Sequence, residues 1–100
     1  MEFKKTDYIN RLFDIYRPLL TDKQQEIIEY YFQDDLSLSE IADNLEISRN
    51  AVHNLIQRTV KILEDYESKL HLYAKRQKLS DVLEDASEEL RQKIEEIIEG

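Results

Sequence analysis

From Tyr8 to Leu20 apolar side chains recur at intervals of three and four, with Tyr8, Ile9, Leu12, Phe13, Tyr16, Leu19 and Leu20 forming one stripe. That spacing predicts an amphipathic helix. Pro18 is expected to stop or bend it, because the proline ring pushes Arg17 out of the helical region. Thr21 and Gln24 then stand three apart, the arrangement of a capping box, and predict a second helix with Ile27, Ile28 and Tyr31 on its apolar side. Gln33-Asp34-Asp35-Leu36 reads as a short connector.

The next stretch, Leu36 to Lys61, reads LSLSEIADNLEISRNAVHNLIQRTVK and holds two short apolar-periodic segments around a turn centred on Glu46. Ser37 and Glu40 predict a capping box that opens the first segment. The Ser48 hydroxyl can accept from an orphan N–H and so opens the second. Ile41, Ala42 and Leu45 fall on one face, Ile47 plugs the turn, and Val52, Leu55 and Ile56 face back. Two short helices crossing over a shared apolar wedge make the pattern of a helix-turn-helix. Such turns commonly place glycine where this chain has Glu46, and a left-handed conformation costs a non-glycine residue on the order of 1 kcal/mol. The expectation is therefore a longer or differently shaped turn.

No helix breaker appears between Arg49 and Lys78, so the second helix of the motif is expected to run on through Leu63, Tyr66, Leu70 and Tyr73 as one long rod. Ser80 or Ser87 can cap further helices carrying Val82, Leu83, Ala86, Leu90, Ile94, Ile97 and Ile98, ending at Gly100. The acid-rich tail from Glu84 onward equally fits a frayed end. An apolar stripe on such a tail can join two copies about a two-fold axis or fold back as a hairpin on its own subunit. The motif core is too small to cover so long a stripe, and large exposed apolar patches are rare, which favours a homodimer.

Composition narrows the fold class. The 100 residues suit one small domain. Hydrophobic residues make up 41%, enough for a core, while one Gly and one Pro leave little for sheets or hairpins. We therefore expect an all-α protein, with a helix-turn-helix core over residues 1–67 and a helical, dimerising extension over 68–100. The absence of cysteine excludes disulfides and thiolate metal sites, MEFKKTDYIN lacks the apolar run of a signal peptide, and no stretch approaches a membrane span. A cytoplasmic protein without membrane insertion is the expectation.

Net charge complicates the obvious function. The chain carries −8, whereas a DNA-binding protein gains affinity by neutralising phosphates with Lys and Arg. The acid is unevenly placed. Residues 37–61 hold three basic and three acidic side chains, while 1–36 hold five against eight, 62–67 three acids alone, and 68–100 six against eight. The motif is neutral, so local docking on nucleic acid survives the unfavourable overall field.

Ser48, Arg49, Asn50, His53, Asn54, Gln57, Arg58 and Lys61 are the candidate nucleic-acid contacts. Asn and Gln can pair with adenine, Arg with guanine, and Lys or Arg with phosphate. The first turns of a recognition helix do most of the reading, which assigns base contact to Asn50, His53 and Asn54 and positioning to Arg49, Arg58 and Lys61. Ser48 and the early N–H groups can hold a phosphate. A solvated helix face would look similarly polar without any ligand.

Other chemistry finds little support. His53 and His71 are too far apart for a helical metal pair. Asp34-Asp35, Glu64-Asp65 and Glu95-Glu96 are adjacent residues, whose side chains point apart on a helix. The six tyrosines sit mostly at core spacing. No phosphate-cradling glycine loop, nucleophile arrangement or zinc spacing is present, so neither an enzyme nor a cofactor is expected.

Leu20 to Glu67, LTDKQQEIIEYYFQDDLSLSEIADNLEISRNAVHNLIQRTVKILEDYE, resembles region 4 of bacterial sigma factors, though with fewer basic residues on the exposed helix. Together with the opening TDYINRLFDIYRPLLTDKQ, the length and the acidic helical tail, nearly the whole chain is similar to the YlxM family of small Gram-positive proteins. That resemblance implies a nucleic-acid-binding regulatory protein tied to the signal recognition particle pathway, with DNA or RNA, including signal recognition particle RNA, as ligand. The charge supports an alternative, in which the motif is scaffold and the acidic surface binds a basic partner such as the signal recognition particle GTPase.

Overall fold

A computed structural model describes residues 6–99, which form helices joined by short turns, with no strand among them. In chain order these are α1 (Thr6–Tyr16), α2 (Asp22–Ile28), α3 (Leu38–Leu45), α4 (Arg49–Leu70), α5 (Leu72–Leu83) and α6 (Glu88–Glu99). Gly100, where the sequence reading ends the last helix, lies outside the described residues.

The starts of α2, α3, α4 and α6 follow local signals. Pro18 sits in a single 3-10 turn, Arg17–Leu19, that ends α1. Thr21 and Ser37 each accept from the backbone N–H three residues on, and Gln24 and Glu40 reach back to the capping residues' own N–H groups. Ser48 accepts from Ala51 N–H at 3.0 Å. Ser87 accepts from Leu90 N–H and opens α6, whereas Ser80 lies inside α5 and caps nothing.

α2 widens into a π-helical turn, Glu29–Gln33, before the connector to α3. The Phe32 carbonyl at this turn accepts from the Asn10 side chain of α1, so the irregular backbone is tied to its neighbour. Phe32 is buried here, while Tyr31 is only half-buried.

One core gathers Ile9, Leu12, Phe13 and Tyr16 of α1, Ile27 and Ile28 of α2, Ile41 and Ala42 of α3, and Val52, Ile56, Val60 and Leu63 of α4. Thr59 is also fully buried on α4, and its hydroxyl donates to the Leu55 carbonyl, which satisfies it without a partner from another helix.

Two expectations fail. The turn between α3 and α4 is short, because Glu46 adopts the left-handed conformation, φ 57° and ψ 42°. Both Glu46 N–H and Ile47 N–H turn back to the Ala42 carbonyl, and the Ile47 bond is the six-to-one closure of a Schellman motif. Those bonds, with Ile47 packed against the core, offset the left-handed cost.

The long rod is also broken. α4 ends at Leu70, His71 turns left-handed at φ 55°, and α5 starts at Leu72. Leu70 is exposed, and the core register of α4 passes instead through Leu63 to Glu67. The Glu67 carboxylate accepts from Tyr73 N–H at 2.9 Å and Ala74 N–H at 3.1 Å, and the Tyr16 hydroxyl accepts from Leu72 N–H. Three N–H groups that a continuous helix would bond internally are thus capped by side chains.

α5 consequently folds back along α1, where Tyr73 meets Tyr8 edge-to-face at 5.4 Å. Arg91 of α6 donates to the Leu83 carbonyl at the end of α5, and Leu83 is buried. α6 itself buries no residue. Leu90 and Ile97 on α6, with Val82 on α5, remain exposed.

Candidate nucleic-acid interface

The outer face of α4 begins at its N-terminus. Ser48 takes up Ala51 N–H, and its carbonyl accepts Val52 N–H as the first full helical bond. The earlier Arg49 and Asn50 N–H groups precede the first helical bond at the positive end of the helix dipole, where an anion is favoured.

Asn50, Asn54, Gln57, Arg58 and Lys61 are exposed and recur at four, three, one and three residues, one continuous stripe along α4. Asn54, Gln57, Arg58 and Lys61 line a shallow open groove. Arg49 is exposed at the flank of the stripe. His53 is only half-exposed, because it lies two turns before the buried Val60 on the core-facing edge. It is the least accessible of the candidate side chains.

Arg49, Arg58 and Lys61 form no ion pair among the described residues. Their charges are therefore uncompensated locally and available to an external anion. The stripe changes sign one turn later, where Arg58 and Lys61 share a second groove with Ile62, Glu64 and Asp65. Asp65 pairs with Lys69 at 3.0 Å. These carboxylates end the cationic face, which gives Ser48 to Lys61 a length of about 20 Å at helical rise.

The arrangement provides amides, guanidinium groups and an ammonium in one row, suited to hydrogen bonding with base edges and phosphates. Among the described residues no cluster of histidine and carboxylate side chains could hold a metal ion. No helix among them is long and apolar enough to cross a membrane.

Periodicity did not expose the buried acid at the far end of α4. Glu67 is the buried carboxylate among the described residues, and its signal was its place in the stripe Val52, Ile56, Leu63, Glu67, where an acid stands at a core position. Burial pushes its pKa up, but hydrogen bonds from Tyr16, Tyr73 N–H and Ala74 N–H, together with the nearby His71, outweigh this and hold it below the usual carboxylate value. Burial and the same hydrogen bond push the Tyr16 phenol up to about 12.

Comparison with known proteins agrees with this architecture. Residues 3–99 match the family described as "UPF0122: Putative helix-turn-helix protein, YlxM / p13 like". A UPF0122 protein of Streptococcus gordonii is 52% identical over 88 residues, 88% of this chain and 80% of that protein. A UPF0122 protein of Limosilactobacillus reuteri is 58% identical over 74 residues, 74% of this chain and 66% of its own length. One from Streptococcus mutans is 57% identical over 74 residues, 74% of this chain and 67% of that protein.

Proposed function

The chain belongs to the YlxM/p13-like helix-turn-helix family, and from that premise we propose that it is a regulatory nucleic-acid-binding protein of the cytoplasm. The carrying observation is the exposed row on α4, where Arg49, Arg58 and Lys61 have no ion pair among the described residues and stand beside Asn50, Asn54 and Gln57. Ser48 and the first N–H groups hold a phosphate, the amides and His53 meet bases, and the cations fix the helix on the backbone. The resemblance to YlxM makes signal recognition particle RNA the first RNA to try, beside duplex DNA.

Paired charge reversal tests this reading. Arg58→Glu with Lys61→Glu should weaken binding to whichever nucleic acid is the ligand, and should flatten its salt dependence by about 0.9 in log–log slope per lost contact on duplex DNA. Unchanged affinity and slope would show that the face is not used.

A second reading is favoured by the net charge of −8. Here the helix-turn-helix is a scaffold, and the acidic surface docks a basic protein such as the signal recognition particle GTPase. Titration of the chain with that GTPase separates the readings. Salt-sensitive binding to the GTPase, with none to either nucleic acid, would support the scaffold role.

A further inference from the structure

The −8 charge conceals a second cationic region. Residues 68–80 contain Lys69, Lys75, Arg76 and Lys78 and no acidic residue, whereas 81–100 contain Arg91 and Lys93 against eight acids. The basic run lies at the far end of α4 from Ser48, mostly on α5. By helical rise the two ends of α4 are roughly 30 Å apart. Glu64 and Asp65 interrupt the stripe between them, so this region does not continue the face already described.

Folding α5 back onto α1 creates a groove of about 270 Å³ lined by Arg11, Asp14, Tyr73, Arg76, Gln77 and Ser80, among others. Small-molecule pockets usually exceed about 300 Å³ and are mostly apolar. This groove is smaller and open, and its lining is of mixed polarity. Arg11 comes from α1 and Arg76 from α5, and neither makes an ion pair among the described residues. Their spacing is held by packing, since Tyr73 sits edge-to-face on Tyr8 and the start of α5 is tied to Tyr16 and Glu67.

We propose that this α1–α5 groove is a second nucleic-acid contact, in which Arg11 and Arg76 grip backbone phosphate. The chemistry favours phosphate. Guanidinium groups present planar forks that match phosphate oxygens, while Tyr73, Gln77 and Ser80 add neutral donors of the kind that contact backbone. Lys75 and Lys78 extend the positive potential around the exposed sides of α5. Asp14 opposes it, as a carboxylate in the same groove with no ion pair among the described residues. The contact is independent of base sequence and rests on the reading of the chain as a nucleic-acid binder.

The opposed charges make the test signed. The full chain is titrated with a random-sequence DNA duplex and a single-stranded RNA, each longer than the 52 Å extent of the protein, across a salt series. Arg11→Gln with Arg76→Gln should weaken binding and flatten the slope by about 0.9 per lost phosphate contact on duplex, or about 0.7 on the single strand. Asp14→Asn should tighten binding. All three side chains are exposed, so the fold should survive, and circular dichroism checks it.

If the arginine pair is inert while Arg58→Glu with Lys61→Glu weakens binding, the groove is not a contact and the α4 reading stands. If only the arginine pair matters, the groove stands and the α4 reading falls. Binding of neither probe by the unaltered chain at low salt overturns both. If the arginine substitutions change self-association in sedimentation but not nucleic-acid affinity, the groove takes the acidic α6 of a second copy and the inference is overturned.

Discussion

The Tyr16 hydroxyl donates a 2.6 Å hydrogen bond to Glu67 Oε1, linking α1 to the end of α4 across 51 residues of sequence. Both side chains are buried, and the pair is also the cap of α5, since Glu67 accepts from Tyr73 and Ala74 N–H while Tyr16 accepts from Leu72 N–H. One clamp therefore fixes where α4 stops and how α5 lies on α1.

Tyr16→Phe removes the hydroxyl from this clamp while keeping the ring in the core. Hydrogen bonds to charged groups contribute roughly 1.5–3 kcal/mol, and a loss of that size is expected in denaturant unfolding. Amide exchange at Leu72, Tyr73 and Ala74 should accelerate more than at Ile41 or Val52. Uniform acceleration would show that the clamp serves general packing alone.

The same pair sets the pH response. Glu67 has a folded pKa below its ordinary 4.5, so its contribution is complete above that value and is lost as pH falls through the lower folded value. Tyr16 is raised from 10.0 to about 12, so its contribution is complete below pH 10.0 and lost as pH rises toward 12. Unfolding free energy measured against pH should show both limbs. In Tyr16→Phe the alkaline limb should shrink, and the highest component of the tyrosinate absorbance titration should disappear.

Glu46 offers a test of stored backbone cost. Its φ of 57° suits glycine, and Glu46→Gly relieves about 1 kcal/mol while adding unfolded-chain entropy of similar size. The net change in stability should stay within about 1 kcal/mol. Glu46→Val, whose branched Cβ disfavours this conformation, should destabilise clearly. Equal melting temperatures for the glycine and valine variants would contradict a left-handed turn.

Ser48 separates folding from binding. Ser48→Ala loses the cap of α4 and should cost about 1 kcal/mol. Ser48→Asp keeps an accepting oxygen and favours the helix dipole, so stability should hold. Yet the new carboxylate sits where a phosphate is proposed to bind, and nucleic-acid affinity should fall. Undiminished affinity in Ser48→Asp would remove the helix N-terminus from the interface.

The exposed stripe on α6 is the surface on which a homodimer would close. Leu90 is 50% and Ile97 79% exposed, so charging them leaves the core untouched. If the unaltered chain sediments as a dimer, Leu90→Glu with Ile97→Glu should sediment as a monomer. A monomeric unaltered chain would show that the stripe does not join copies.

Local sequence alone sets the starts of α2, α3 and α4 and the faces these helices present. Thr21 with Gln24, Ser37 with Glu40, and Ser48 act on backbone groups within three residues, so their effect is contained in the local chain. The exposed row Asn50, Asn54, Gln57, Arg58 and Lys61 was legible for the same reason, because helical period alone turns it away from Val52 and Ile56. His53 lay less open than its polarity implied, since the neighbouring core edge covers part of it.

Where α4 ends and α5 turns back depends on tertiary contact. Nothing between Arg49 and Lys78 forbids a continuous helix, and His71 is not a residue that prefers a left-handed conformation as glycine does. The break exists because Tyr16 and Glu67 satisfy the N–H groups that it frees, and that compensation comes from a residue more than fifty positions away. The α1–α5 groove follows from the same break. Arg11 and Arg76 meet only once α5 has turned back, a relation that no local pattern in the chain encodes.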